Sequence, residues 1–211
     1  MTATVDEWNE RYRSAAESDH LRLWQSLPSP DLVSLAETLQ RGTALDVATG
    51  DGRNAIWLAH NGWSVVGTDF SSAAVELAAA RAESEGVSVE WATADARTWQ
   101  PARRFDLITI TYLQLPEPDL FGVISRAATW LSPRGHLILI GHDVSNLTTS
   151  APGPTDREVL NTPQQLSHAA DVAGLRVLLS ESRKRFEPEH ADDDGSKTAI
   201  DTILHATAAD G

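Results

Sequence analysis

The sequence predicts an α/β fold: an open, mostly parallel sheet with helices on both faces. Three observations carry this. From residue 43 onward, short apolar runs bounded by turn residues alternate with longer helix-like stretches, the pattern of strands joined by crossover helices. The stretch Leu45-Asp-Val-Ala-Thr-Gly-Asp-Gly-Arg-Asn54 joins the first of these runs to a helix through two glycines. The chain has 211 residues, 41% hydrophobic and 22% charged, enough to bury one sizeable core.

Residues 1–40 read as helical. Trp8, Tyr12, Leu21, Leu23, Trp24 and Leu27 are interleaved with charge, and Leu32 to Leu39 form a second amphipathic stretch after Pro28 and Pro30. Ala44–Ala48 reads as a buried strand, Asn54–His60 as a helix stopped by Asn61-Gly62, and Ser64–Thr68 as the next strand. Ser72–Glu85 is an alanine-rich helix capped by Ser71 or Ser72 and ended by Gly86. Strands follow at Ser88–Ala92 and Phe105–Leu113, then a helix from Asp119 to Leu131, a turn at Pro133–Gly135 and a strand at His136–Ile140. Residues 144–160 read as a long loop. Thr162-Pro-Gln-Gln165 opens a helix ending near Gly174, because Thr caps, Pro suits the first position and Gln closes the box. Strands at Leu175–Arg185 and Thr198–Ala206 close the chain. One domain is expected over 1–211: an N-terminal helical cap at 1–40 and the sheet core at 43–211.

Composition excludes several classes. The net charge of −13 disfavours a nucleic-acid partner, whose phosphates need Lys and Arg. With no cysteine there is no disulfide or thiolate site. The N-terminus lacks a signal-peptide pattern, and Leu137–Ile140, the longest aliphatic stretch, is far short of the roughly 20 residues of a membrane helix, so a cytoplasmic location is expected. No metal site is expected; His190 beside Asp192–Asp194 reads as a solvated loop. Neither G-x-S-x-G nor a Walker A motif occurs.

The glycine loop carries the chemistry. Gly50 and Gly52 allow tight backbone geometry and close ligand approach, and the loop ends at a helix N-terminus, which favours a carboxylate or phosphate. Asp69 closes the second strand 19 residues after Gly50, where a carboxylate can accept from ribose hydroxyls. A dinucleotide fingerprint needs G-x-G-x-x-G, whereas here the run is Asp46-x-Ala48-x-Gly50-x-Gly52. That run resembles motif I of the class I S-adenosylmethionine-dependent methyltransferases. Gly52-Arg-Asn-Ala-Ile-Trp-Leu-Ala59, Gly62-Trp-x-Val-x-Gly-x-Asp69-Phe-Ser, Trp8-Asn-Glu-Arg-Tyr12, Tyr112-Leu-Gln-Leu-Pro116 and Gly141-His-Asp143 are similar to the tellurite-resistance and thiopurine methyltransferase-like branch. Thr49 and Asp51 depart from it, where Cys and Glu are frequent.

The resemblance implies a Rossmann-like seven-stranded sheet with an antiparallel closing strand and an N-terminal helical lid. It also implies S-adenosylmethionine as cofactor. Asp46, Gly50, Gly52 and Arg53 would surround its methionine end, with Asp69 at the ribose and Phe70, Asp95 and Ala96 at the adenine. Thr111 and Tyr112 would lie near the sulfonium. Trp8, Tyr12 and Trp24 would line the acceptor side, with Gln114 and Asp143 at strand ends. A hydroxyl acceptor would need a general base, for which His142, Asp143, Tyr112 and Gln114 at strand ends are the candidates. The catalytic pair expected is His142 and Tyr112, with His142 leading for a base or acceptor-positioning role because its ordinary pKa lies near working pH. A polar residue at a strand exit is the plain reading of His142. The fourth-strand end lacks the Asn/Asp-Pro-Pro-aromatic pattern of nucleobase and amide methylation. The expected partner is a small-molecule acceptor bearing a thiol, hydroxyl or chalcogen, on a monomer or homodimer. The competing readings are a non-catalytic S-adenosylmethionine binder and an NAD-dependent oxidoreductase.

Overall fold

In the computed structural model, residues 3–17, 27–149, 153–185 and 199–209 are described. The apolar run β1 (Thr43–Val47) sits at the centre of a seven-stranded sheet. It pairs in parallel with β2 (Ser64–Asp69) on one side and β4 (Phe105–Thr111) on the other. β3 (Glu90–Thr93) extends the β2 edge and β5 (Leu131–His142) extends the β4 edge, again in parallel. β7 (Ile200–Ala208) then inserts antiparallel between β5 and β6 (Leu175–Lys184), giving the order β3-β2-β1-β4-β5-β7-β6. The expected antiparallel strand is therefore β7. Flanked on both sides, it is buried along nearly its whole length despite a sequence that alternates apolar and polar residues.

Helices cover both faces. α2 (Pro30–Ala36) and α3 (Arg53–His60) put Leu32, Ala36, Ala55 and Leu58 against Ala44, Leu107, Ile138, Ile140 and Ile203. On the other face, α5 (Glu117–Trp130) and α6 (Pro163–Val172) bury Leu120, Ile124, Leu166 and Ala170 against Leu45, Ile108, Ile110, Leu137 and Leu204. The Thr162–Gln165 capping box starts α6 as its sequence requires. α4 (Ser72–Ser84), capped by Ser71, rests on β2 and β3 and carries α1 (Val5–Glu17), whose Tyr12 packs on Ala73 and Ala74. No helix among the described residues is long and apolar enough to cross a membrane.

Most strand ends shift by one or two residues from expectation, and two boundaries have a clear physical reason. The Pro133–Gly135 turn lies inside β5, because Phe105 pairs with Leu131 and Leu107 already pairs with His136. The turn residues form an irregularity between those pairs, with Arg134 at φ 60°. α5 begins at Glu117 rather than Asp119, since a proline is tolerated in the first helical turn. Residues 144–149 and 157–159, expected as loop, include two short 3-10 turns. Leu21, Leu23, Trp24, His190 and Asp192–Asp194 lie outside the described residues.

The β5–β7 pairing sets His136 Nδ1 3.0 Å from His205 Nε2. Burial, with His136 alongside, pushes His205 down to about 4. The folded state thus keeps His205 neutral while the unfolded chain protonates it below its ordinary value of 6.5, so its contribution is lost as pH falls from 6.5 to about 4. His205→Asn is expected to flatten the acid limb of stability by up to about 1.4 kcal/mol per pH unit, as read from urea midpoints at pH 4 to 7.

Candidate active site

The C-terminal ends of β1, β2, β4 and β5 meet along one rim, the place where open α/β sheets hold ligands. After β1 the chain turns sharply, with Ala48 at φ 55°, Gly50 at φ 58° and Gly52 at φ 80°. The Thr49 amide donates to the Thr68 carbonyl and pins the loop to β2. Asp46 lies beneath, fully buried, accepting from the Thr49 and Thr109 hydroxyls at 2.6 Å each. Burial pushes its carboxyl up to about 6 against those hydrogen bonds. Its observed contacts thus tie the loop to β4. Thr49, one of the two departures from the branch, supplies one of them.

Asp69 organises the end of β2. Its Oδ2 accepts from the Gly50 amide at 3.0 Å and its Oδ1 from the Ser71 amide at 2.9 Å. Burial raises its pKa, and the amides oppose the rise. Asn9 of α1 accepts from the Ser71 hydroxyl at 2.7 Å and the Ala73 amide at 3.3 Å, docking α1 on the start of α4. A Cβ added at Gly50 would lie 2.9 Å from the Tyr12 hydroxyl oxygen, so Tyr12 covers the glycine loop. Trp8 stacks on Tyr12 at 5.9 Å. The resemblance puts Tyr12 beside the acceptor; in the structure it packs on α4 and over the glycine loop. Gly52 is needed for packing, since a Cβ there would meet Ala78 Cβ at 2.8 Å and Trp91 at 3.0 Å. Gly52→Ala combines that crowding with a left-handed φ and is expected to cost about 2–4 kcal/mol in urea unfolding.

Phe70 is half-buried next to Asp69. The Ala94 amide donates to the Asp69 carbonyl at 2.8 Å, bringing the β3 end alongside. Asp95 follows, and Arg97 holds its carboxyl below the usual range through an ion pair at 2.7 Å. Ala96 packs against the core. Asp51, the other departure, pairs with Arg81 of α4 at 2.9 Å.

The other end of the rim is built from β4, β5 and β7. Thr111 accepts from Asn54 Nδ2 at 2.8 Å, and Asn54 Oδ1 accepts from the Ser29 amide. Tyr112 takes φ 56°, a left-handed conformation that a bulky side chain rarely adopts outside constrained sites. Arg53 and Arg185 lie over its ring at 5.5 Å and 5.0 Å, and the His142 ring is 4.9 Å away. The Tyr112 hydroxyl donates to Asp201 Oδ2 at 2.6 Å. Arg185 donates from Nε and Nη2 to Asp201, and from Nη2 to His142 Nδ1 at 3.0 Å. Burial and then Arg185 push His142 down to about 4, with Asp201 opposing. The expectation of a histidine titrating near neutrality is corrected by those two causes. Asp143 is buried and saturated, accepting from the Ser145 amide and the Ser145, Ser182 and Thr202 hydroxyls. It joins the 145-turn to β6 and β7. Gln114 is half-buried in the turn after Tyr112. Among the described residues, no three of His, Asp and Glu are grouped to hold a metal ion.

Residues 44–135 match a family described as a methyltransferase domain, spanning the glycine loop, Asp69 and the Tyr112 turn. Over this stretch the chain is similar to methyltransferase domains. A ubiquinone biosynthesis O-methyltransferase of Coxiella burnetii is similar to this chain, at 29% identity over 157 residues. The match covers 67% of this chain and 66% of the relative's length. Two solved structures share the fold. TehB from Haemophilus influenzae has a TM-score of 0.69 at 15% identity, covering 96% of this chain and 67% of that one. The [4+2]-cyclase SpnF has 0.74 at 20% identity, covering 100% and 98%.

Asn9, Asn54, Arg185 and Asp201 belong to the site's framework, and sequence reasoning does not single them out as site residues. Asn9 lies inside the Trp8–Tyr12 motif and Asn54 at the end of the loop segment, so both have a local signal. Arg185 and Asp201 have none.

Proposed function

We propose that this chain transfers the methyl group of S-adenosylmethionine to a small-molecule nucleophile at the ends of β4 and β5. The observation that carries the reading is the pairing of a glycine loop anchored to Asp69 with the Thr111–Tyr112–His142 end, side by side on one rim. Bound there, S-adenosylmethionine supplies a methyl group already activated on a sulfonium. The left-handed Gly50 fits the role, because its bare backbone lies where a side chain would meet Tyr12. In this reading Gly50, Arg53 and the α3 N-terminus receive the amino-acid end. Asp69 accepts from the ribose hydroxyls, and Phe70, Asp95 and Ala96 border the adenine. Tyr12 and Trp8 close α1 over the loop and exclude water. Thr111, Tyr112, His142 and Gln114 orient the acceptor for in-line attack.

The relative's name favours an oxygen nucleophile first. The test is incubation with S-adenosylmethionine and separate phenols, thiols and chalcogen oxyanions, read by mass spectrometry. A single-methyl mass gain with equimolar S-adenosylhomocysteine is expected. Cofactor binding with no product from any acceptor would favour a non-catalytic binder instead.

A further inference from the structure

We infer that Arg185 and Asp201 are positioning residues that hold His142 as a hydrogen-bond donor through Nε2, an arrangement that favours a methyl acceptor arriving as an anion. The inference rests on the methyl-transfer reading for its acceptor and on geometry alone for its histidine.

β7 places Asp201 directly opposite His142 of β5, only 1% exposed. Its Oδ1 accepts from Arg185 Nη2 at 2.6 Å, and its Oδ2 from Arg185 Nε at 2.9 Å and the Tyr112 hydroxyl at 2.6 Å. Arg185 Nη2 also faces His142 Nδ1 at 3.0 Å. A guanidinium is always protonated and has no acceptor, so this contact fixes Nδ1 as the accepting nitrogen. A neutral imidazole accepting at Nδ1 carries its proton on Nε2. The groups acting on His142 are Arg185 from the end of β6, Asp201 from β7 and Arg53 from α3, with the Tyr112 ring against it from β4. Two are cations, and the one carboxylate is already shared between Arg185 and Tyr112.

Among the described residues, this leaves no free base in the cluster. A proton added at Nδ1 would point at the guanidinium. Nε2 already bears one. The Tyr112 hydroxyl spends its proton on Asp201, and Asp143 is saturated by four donors. A neutral alcohol, whose proton must leave during attack, therefore has nowhere among these groups to send it. A phenolate, thiolate or oxyanion needs no such group. Its lone pair forms the bond to the methyl carbon, the carbon–sulfur pair returns to sulfur, and the positive and negative charges cancel with no proton moved. The His142 Nε2–H and the Arg53 charge favour such an anion.

Two measurements test this. Long-range ¹H–¹⁵N spectra of the labelled protein should show His142 as the Nε2–H tautomer and neutral down to pH 5. Arg185→Ala should mix the tautomers and move the titration upward, while Arg185→Lys should keep part of the shift. A wild-type Nδ1–H tautomer, or titration of His142 near 6.5, overturns the positioning claim whether or not turnover is seen. For the acceptor, a series of phenols of graded acidity should give kcat/KM profiles whose inflections follow each phenol's own ionisation. One common protein inflection for all phenols overturns the anion claim but leaves methyl transfer standing. No product from any anionic acceptor, with cofactor bound, overturns the anion claim and the methyl-transfer reading together.

Discussion

Replacing Asp69 with alanine is expected to weaken S-adenosylmethionine binding by about 100-fold or more while the protein remains folded. The carboxylate accepts from the Gly50 and Ser71 amides, one in the glycine loop and one at the start of α4. Its loss releases the glycine loop and the start of α4 from the carboxylate that fixes them, so binding must reorder them, and it removes a charged acceptor for the ribose worth about 1.5–3 kcal/mol. Each 1.4 kcal/mol or so is tenfold in affinity. Stability should change less than affinity, because burial already raises the pKa of Asp69 and its removal relieves that penalty. Asp69→Asn should fall between, since one of its two positions becomes an amide nitrogen facing an N–H donor. Calorimetry with S-adenosylhomocysteine on the three proteins checks the order. Equal affinity in wild type and Asp69→Ala would remove this residue from the cofactor site.

The second large effect is on stability. Asp201→Ala is expected to cost about 3–5 kcal/mol, read as a drop in urea midpoint, because it removes the buried carboxylate that the Arg185 guanidinium and the Tyr112 hydroxyl share. Arg185 retains some exposure, at 18% of its side chain, so the lower end of that range applies. Arg185→Ala leaves Asp201 buried and unpaired, and the double variant should cost less than the sum of the two. Additive losses would mean that the pair is not coupled.

Much of the fold is legible in the sequence because its signals are local. Leu137–Ile140 is an apolar run of strand length, and Asn61-Gly62, Ser71 and Thr162–Gln165 punctuate the helices. The glycine loop and Asp69 are legible for the same reason: one βαβ unit fixes their separation, and the Gly50–Asp69 hydrogen bond realises it. What escapes a sequence reading is what depends on distant pairing. The Pro133–Gly135 signal is real, yet only the partner strand decides whether it ends β5 or bulges within it. Tyr112 and Asp201 are 89 residues apart and His142 and Arg185 are 43 apart, so no spacing rule joins them. The pKa of His142 is set by Arg185 and burial, neither visible along the chain. Tyr12 is marked by its motif, but its place over Gly50 comes from the packing of α1 on α4.

The most direct test of the account is a calorimetric titration of the wild-type protein with S-adenosylmethionine, S-adenosylhomocysteine and NADH in parallel. The account predicts micromolar-range, one-to-one binding of the first two, each lost in Asp69→Ala, and no heat with NADH. Saturable NADH binding without binding of the sulfonium cofactor would contradict it, and would return the glycine loop to the dinucleotide reading that Asp46 and its spacing argue against.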